Sequence, residues 1–275
     1  MSLEVAPLAA EHEGELRTLL CAEPLRNLRL LDTLNDAADR RSHRYGVFSA
    51  GRLVAAAIVE PVSGRVLPSA CAAEHARALG ASFAPTIELR SSLGDRAAVE
   101  AIAAAWGPSK PRRLFPHRLF AAWADTMGPY LTRALRVANE ADCRGLIAMG
   151  TAELAEVFDR PALEHELQSV HAQVQDRVRR QRTWVLEQEG KVVTKIDLAA
   201  RTRFGVELEG LYTPPEHRSR GFATLALGQL SRDLLSSTPR VALRIANTPN
   251  ALLAVARKVG YVSAPVEQLL AVLSQ

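Results

Sequence analysis

A short segment in the last third of the sequence places arginine, glycine and small residues in a spacing that suits a bound phosphate. It reads Arg218-Ser219-Arg220-Gly221-Phe222-Ala223-Thr224 and lies between a strand pattern and a helix pattern. Backbone N–H groups at the start of a helix have no partner inside the helix, and the helix dipole adds positive charge there. Gly221 lets an anion approach the backbone, and no Asp or Glu occurs from Arg218 to Gln229. The segment therefore predicts a phosphate or pyrophosphate site, with added charge from Arg218 and Arg220.

The elements that position this segment follow from the hydrophobic periodicity around it. Before it, the residues alternate as in a strand: Val206, Glu207, Leu208, Glu209, Gly210 and Leu211. Thr213-Pro214-Pro215 ends that strand. After it, a helix is predicted to about Ser236, with one apolar stripe of Ala223, Ala226, Leu227, Leu230 and Leu234. A second strand is predicted over residues 240–247.

The stretch from Leu211 to Thr224 resembles motif A of the GNAT acetyltransferases, which has the form [Q/R]-x-x-G-x-[G/A]. The segment from Asn247-Thr248-Pro249-Asn250 to Gly260-Tyr261 resembles motif B of the same family, and the two motifs have the expected order and spacing. The resemblance covers roughly residues 131–275. The first half lacks an R-x-x-G-x-[G/A] segment, which is similar to two-domain members with a degenerate N-terminal GNAT-like half.

The resemblance implies that the chain binds acetyl-CoA. It places the pyrophosphate on the backbone of the segment from Arg218 through Ser219, Arg220, Gly221, Phe222 and Ala223 to Thr224. It places the pantetheine arm beside Leu211, Tyr212 and Thr213, between two strands that splay apart, with a contact from Asn247 or Asn250. It also implies that a backbone N–H on that strand stabilises the oxyanion.

The family reaction is direct attack of a neutral amine on the thioester, which a general base assists. Glu207 falls where some members carry a glutamate base, and Glu209 is the other candidate; the alternative is that both alternate outward from a solvated strand. The tyrosine that often protonates the thiolate is replaced by Ala256. Tyr212 or water is the expected substitute, and Tyr261 is a weaker candidate.

The first half of the chain shows its own alternation of helices and strands. Helices are predicted over residues 11–21, 24–34, 71–80 and 94–105, strands over 86–90 and 111–121, and a hairpin with Gly51 in its turn over 45–59. The pattern breaks around residues 125–129. We therefore predict a first, degenerate GNAT-like domain over residues 1–127 and a GNAT acetyl-CoA-binding domain over residues 128–275.

The second half repeats this order before it reaches the predicted phosphate site. A strand is predicted over residues 131–137, helices over 140–158 and 164–181, and a hairpin with Gly190 in its turn over 183–195. This repetition favours an internal duplication. The predicted fold class is α/β (α+β): tandem GNAT-like domains, each with a mixed, mainly antiparallel sheet flanked by helices.

The composition of the chain indicates which kinds of partner and metal site are not expected. Hydrophobic residues make up 48% and the net charge is +4, which fits a globular protein and does not favour nucleic acid. The arginines between residues 177 and 182 are interpreted as a solvated helix face: Arg177, Arg179, Arg180 and Arg182. The three cysteines lack metal-site or disulfide spacing, and His165 and His171 do not form HExxH, so no metal is expected. No membrane segment or signal peptide is recognised, so a cytoplasmic location is expected.

The sequence thus predicts an N-acetyltransferase that moves an acetyl group from acetyl-CoA to an amine of a small molecule or peptide. We expect the acceptor to enter between the helices after residue 140 and the strands after residue 260, near Glu153, Glu156 and Asp159. The alternative is a non-catalytic acyl-CoA-binding or sensing protein that keeps the fold, which Ala256 favours. A homodimer is compatible with either function.

Overall fold

The computed structural model describes residues 3–35, 43–60, 64–83, 89–106, 112–247 and 251–273. The chain divides into two compact units. The first contains Met1–Leu119, Ile245–Thr248 and Ala264–Gln275, and the second contains Phe120–Arg244 and Pro249–Ser263. The sequence prediction placed the boundary after residue 127 and kept the C-terminal end in the second domain. The compact units differ from the predicted domains for two reasons. The break in the sequence pattern at residues 125–129 lies in a connection inside the second unit, and the last strand of the chain pairs with a strand of the first unit.

The first half of the chain forms a strand, two helices, three strands, a helix, a strand, a helix and a strand. In chain order these are β1 Leu3–Pro7, α1 Glu13–Ala22, α2 Leu28–Asn35, β2 His43–Ser49, β3 Arg52–Glu60, β4 Arg65–Pro68, α3 Ala73–Phe83, β5 Ser91–Asp95, α4 Arg96–Ala105 and β6 Arg112–Ala122.

The second half forms the same elements in the same order. They are β7 Leu135–Val137, α5 Cys143–Phe158, α6 Glu164–Arg179, β8 Thr183–Gln188, β9 Lys191–Thr202, β10 Gly205–Tyr212, α7 Phe222–Leu235, β11 Val241–Ala246, α8 Ala251–Val259 and β12 Val262–Leu273. The predicted internal repeat is confirmed at the level of element order.

Strand pairing also repeats. β1 to β4 pair antiparallel in sequence order, as do β7 to β10. One parallel pair follows in each unit, β4 with β5 and β10 with β11. β12 pairs antiparallel with β5, with Gln268 opposite Asp95, which is why residues from Ala264 onward belong to the first unit. The mixed, mainly antiparallel sheets flanked by helices confirm the predicted fold class.

In the second unit, opposite faces of the sheet hold different helices because neighbouring strand residues point to opposite sides. Leu186 and Val193 pack with Ala226 of α7, and Phe222 at the start of α7 packs against the same cluster. On the other face, Val185 packs with Leu146 of α5 and Val178 of α6. The start of α7 is thus anchored on the sheet by Phe222, after the connection that follows β10.

A segment after β6 packs closely against α7 and against the end of α8. A Cβ on Gly228 would lie 2.6 Å from the Cβ of Tyr130, and a Cβ on Gly260 would lie 2.0 Å from the carbonyl oxygen of Thr126. Only glycine permits these two approaches. The pattern break around residues 125–129 is therefore a packed connection rather than a loose linker.

Two element predictions were wrong, and one lies partly outside the described residues. The strand predicted over residues 131–137 is limited to Leu135–Val137, and Leu131 is 55% exposed. The helix predicted from residue 94 begins at Arg96, because residues 94 and 95 belong to β5. β5 carries two serines and a glycine, which are weak strand formers, and this hid it in the sequence. Residues 86–88 of the strand predicted over 86–90 are not described, and residues 89 and 90 are not in a strand.

Candidate acetyl-CoA and acceptor site

The predicted phosphate segment forms an uncapped helix start. Gly221 is the N-cap of α7 with φ 82°, a left-handed conformation, and no side chain caps the helix. Ser219 is left-handed as well, with φ 62°. A Cβ on Gly221 would meet nothing within 4 Å, so the space beside this backbone is open. Glycine is therefore favoured here by its positive φ, and the first N–H groups of α7 remain available to an anion.

The side chains of this segment divide between solvent and core. Arg218, Ser219, Arg220 and Gly221 are exposed, and Phe222 and Ala223 are half-buried. Thr224 is buried, at 7% exposure. The Arg220 guanidinium lies 4.8 Å from the centre of the Phe222 ring. The geometry leaves positive charge and backbone N–H groups at the surface, with no acidic residue in the first turn of α7.

β10 leaves its parallel partner before it reaches this segment. Val206 to Leu208 pair with Val241 to Leu243 of β11, whereas β10 continues to Tyr212. Its pairing with β9 shifts register between Glu209 and Tyr212, and Gly210 within the shift has φ 57°. A β-bulge of this kind bends a strand and re-aims the residues that follow. Leu211 and Tyr212 therefore end β10, and Thr213 follows them, along an edge that β11 does not pair in the described residues.

The two asparagine candidates have different outcomes. Asn247 is exposed directly after β11, its N–H donates to the carbonyl oxygen of Pro116 at 2.9 Å, and it belongs to the first unit. Asn250 lies outside the described residues.

Glu207 is neither solvated nor open to a substrate. It is 2% exposed, and one of its carboxylate oxygens lies 2.7 Å from Nη2 of Arg244 on β11. A buried ion pair of this kind is costly to break, because the remaining charge is left without compensation. The geometry thus gives Glu207 a structural contact and argues against its use as the base.

Glu209 lies two residues further along and is more accessible. Its side chain is 24% exposed, and Arg177 of α6 donates a hydrogen bond to it. The same guanidinium donates to Asp197 of β9 at 3.0 Å. The arginines from residue 177 to 182 were interpreted as one solvated face, and this is wrong for Arg177, whose side chain links α6 to β9 and β10. Arg179 is 75% exposed, as expected.

Lys195 of β9 is a buried residue that sequence analysis missed. Its ammonium group lies 3.0 Å from Asp197, 2.9 Å from Glu153 of α5 and 2.9 Å from the carbonyl oxygen of Gly210. Burial acts to lower the pKa of Lys195, but attraction to Asp197 and Glu153 outweighs it and raises the pKa above its ordinary value. Lys195 therefore stays charged and holds the bulge of β10. The sequence did contain a sign of this buried cluster, because Lys195 and Asp197 are charged residues within the largely apolar stretch of β9.

A second cluster joins α5 to the phosphate segment. The Tyr212 hydroxyl donates to Glu156 at 2.8 Å, and Arg218 Nη2 donates to both oxygens of Glu156 at 2.7 and 2.9 Å. Arg218 Nε also donates to the carbonyl oxygen of Thr213 at 2.9 Å. Burial, with the hydrogen bond to Glu156, raises the pKa of Tyr212 to about 12. Tyr212 is thus a neutral phenol whose proton points at Glu156.

The motif B residues form part of the core. Ala256 is fully buried, and Tyr261 is 2% exposed with its hydroxyl 2.5 Å from Ser231 Oγ. Burial raises the pKa of Tyr261 well above its ordinary value. This geometry makes Tyr261 a structural residue and removes it as a proton donor.

The corresponding place in the first unit lacks these features. There α3 follows β4 and carries Glu74 in its first turn, where a negative charge repels an anion. The N–H of Ala70 in the preceding loop donates to Asn27 Oδ1 at 3.0 Å. Burial raises the pKa of the neighbouring Cys71 thiol to about 11, so it is not a thiolate at neutral pH. The first half of the chain therefore has the same order of elements, but its corresponding helix does not begin in a way that suits an anion.

The described part of the chain contains no group of three or more His, Cys, Asp or Glu residues that could hold a metal ion. None of the helices described is both long and apolar enough to cross a membrane.

Comparison with known proteins agrees with this geometry. The model of the acetyltransferase (GNAT) family matches residues 149–261. A GNAT acetyltransferase structure from Colwellia psychrerythraea is 12% identical, with 99% of this chain and 100% of that chain covered and a TM-score of 0.55. A tandem GNAT protein from the clavulanic acid biosynthesis pathway is 16% identical, with 99% and 98% covered and a TM-score of 0.60. A Drosophila protein of 14% identity reaches a TM-score of 0.67 over 98% of both chains. No curated protein matched the sequence.

The fold of the chain is therefore that of the tandem GNAT proteins. The match to the acetyltransferase (GNAT) family model includes the segment from Arg218 to Thr224, and the likeness to the solved tandem GNAT protein extends over both halves of the chain.

Proposed function

We propose that this protein is an acetyl-CoA-dependent N-acetyltransferase with one cofactor site, at the end of β10 and the start of α7. The observation that carries the proposal is the uncapped start of α7, where Gly221 is left-handed, the space beside it is open and no acidic residue lies in the first turn. These features suit a pyrophosphate group, and the family match includes them.

In this proposal the residues of the second unit have separate roles. The N–H groups from Ser219 to Thr224 bind the pyrophosphate, and the edge of β10 from Leu211 to Thr213 pairs with the pantetheine arm. When bound, acetyl-CoA supplies the thioester that the amine attacks. A backbone N–H beside the bulge at Gly210 stabilises negative charge on the carbonyl oxygen.

We assign the base role to Glu209 rather than Glu207, because only Glu209 is accessible from outside the sheet. Glu209 shares its carboxylate with Arg177, so we expect it to act through a water molecule. Tyr212 is the nearest phenol to the predicted pantetheine edge, but its proton is directed to Glu156. We therefore expect water to protonate the departing thiolate.

Thermal unfolding with saturating acetyl-CoA tests the cofactor site. A ligand at about 100 times its dissociation constant adds about 2.7 kcal/mol, which corresponds to a rise in Tm of several degrees. Gly221→Asp places a negative charge at the start of α7 and should abolish the rise. Gly221→Asn is the matched control, because Asn has the same shape, tolerates positive φ and carries no charge. Equal rises in the wild type and Gly221→Asp would refute the site.

The second candidate function is an acyl-CoA sensor without turnover. Two observations favour it: Ala256 stands where the family often has a tyrosine, and Glu207 is locked to Arg244. Release of CoA in the presence of a panel of amines separates the two functions. A sensor gives a Tm rise with acetyl-CoA but no amine-dependent release, whereas an enzyme gives both.

A further inference from the structure

Arg218 has two competing uses in the second unit. It belongs to the predicted phosphate segment, yet its guanidinium is bound by Glu156 of α5 and by the carbonyl oxygen of Thr213. The cation also lies 5.6 Å from the centre of the Tyr212 ring. Arg218, at the start of the predicted phosphate segment, is therefore turned toward the helix α5.

The ion pair between Arg218 and Glu156 is exposed and so is weak. Their side chains are 44% and 47% exposed, and exposed ion pairs contribute little to stability because solvent screens them. A pyrophosphate bound at the start of α7 carries more charge than one carboxylate and accepts charge-assisted hydrogen bonds from arginine. Competition between the two anions therefore favours the pyrophosphate.

Release of Arg218 changes the charge beside α5. Glu153, one helical turn from Glu156, is already neutralised by Lys195 at 2.9 Å. Glu156 has no cation other than Arg218 among the ion pairs of the described residues. Once Arg218 leaves, Glu156 keeps only the hydrogen bond from Tyr212, and its negative charge is available to a cation.

We propose that Glu156 holds Arg218 in the cofactor-free protein, and that acetyl-CoA binding transfers Arg218 to the pyrophosphate and so frees Glu156 to bind a cationic group of the acceptor. This inference rests on the proposed function. It gives the acceptor a cationic group in addition to the neutral amine that reacts, and it makes cofactor binding precede acceptor binding. Glu156 is then a residue that selects the acceptor.

Calorimetric titration with acetyl-CoA tests the transfer without knowledge of the acceptor. Glu156→Gln removes the competing anion, so we expect acetyl-CoA to bind about two- to fivefold more tightly than to the wild type. Glu216→Gln is the control, because Glu216 is an exposed acid two residues before Arg218. Any general effect of charge on an anionic ligand appears in both variants, and the effect of competition appears in Glu156→Gln alone.

The double variant identifies the cause. In an Arg218→Gln background, Glu156→Gln should no longer change the affinity, because the residue for which the anions compete is gone. An unchanged or weaker affinity in Glu156→Gln, or an equal gain in both backgrounds, would overturn the transfer of Arg218. Absence of acetyl-CoA binding to the folded wild type would remove the proposed function and this inference together.

The freed carboxylate is tested with putrescine, a simple dicationic amine. We expect putrescine to raise the Tm of the wild type more in the presence of CoA, which has no acetyl group to transfer, than in its absence. In Glu156→Gln this difference should disappear. Equal stabilisation of the wild type with and without CoA would overturn the acceptor role of Glu156.

Discussion

Glu207 and Glu209 lie two residues apart on β10, and their partners give them different roles. Glu207 faces Arg244 inside the protein, with side chains 3% and 8% exposed, whereas Glu209 and Arg177 are both 24% exposed. We expect Glu207→Gln to lower the free energy of unfolding by about 3 kcal/mol, because it leaves a buried guanidinium without its counter-charge. Urea unfolding measures this loss, and Glu209→Gln is the matched comparison, with a smaller loss of stability and a larger loss of turnover. A Glu207→Gln variant as stable as the wild type but inactive would assign the base role to Glu207.

The helix start at Gly221 was predictable from the sequence, and the ion pairs around it were not. Arg218, Gly221 and Ala223 belong to one local segment, so their spacing alone indicates where the helix begins and suggests the phosphate-binding role that we propose. The partners of Lys195 and Glu209 come from α5 and α6, and no local pattern records which residues of distant elements meet. The alternation of apolar and polar residues correctly predicted the strand β10. It could not show that Glu207 is buried and paired with a cation rather than exposed to solvent.

At the scale of elements, the bulge of β10 connects the buried charges to the predicted pantetheine edge. A Cβ on Gly210 would lie 2.5 Å from Asp197 Oδ2 and 2.9 Å from Lys195 Nζ, in a left-handed residue with φ 57°. The bulge therefore requires a glycine for both its backbone angle and its contacts. The sequence showed Gly210 only as one more position in an alternating strand.

Gly210→Ala and Gly190→Ala separate these two requirements. Gly190 in the β8–β9 turn has φ 73°, and a Cβ there meets nothing within 4 Å. Both variants incur a backbone cost of about 1 kcal/mol, but only Gly210→Ala also displaces Lys195 and Asp197. We expect Gly210→Ala to unfold at lower urea concentration than Gly190→Ala and to be the only one that weakens acetyl-CoA binding. Equal stability and affinity in the two variants would show that the charge cluster does not hold the bulge.

At the scale of the whole molecule, the two halves of the chain have the same element order but differ at the start of the helix that follows their fourth strand. In the second unit that helix begins at a left-handed glycine with no acidic residue in its first turn. In the first unit it begins at Ala73 with Glu74 in its first turn, and the N–H of Ala70 in the loop before it donates to Asn27. A shared fold is therefore not enough to give each unit a cofactor site. Such a site also needs free backbone N–H groups at the helix start and no negative charge beside them.

This difference predicts one acetyl-CoA per chain. The N–H of Ala70 already has a partner and Glu74 repels an anion, so the first unit lacks the groups that would repay the binding of a pyrophosphate. Calorimetric titration of the whole chain should give a stoichiometry close to one, and Gly221→Asp should abolish that binding rather than halve it. A stoichiometry of two in the wild type, reduced to one in Gly221→Asp, would show that the first unit binds the cofactor through a different set of groups.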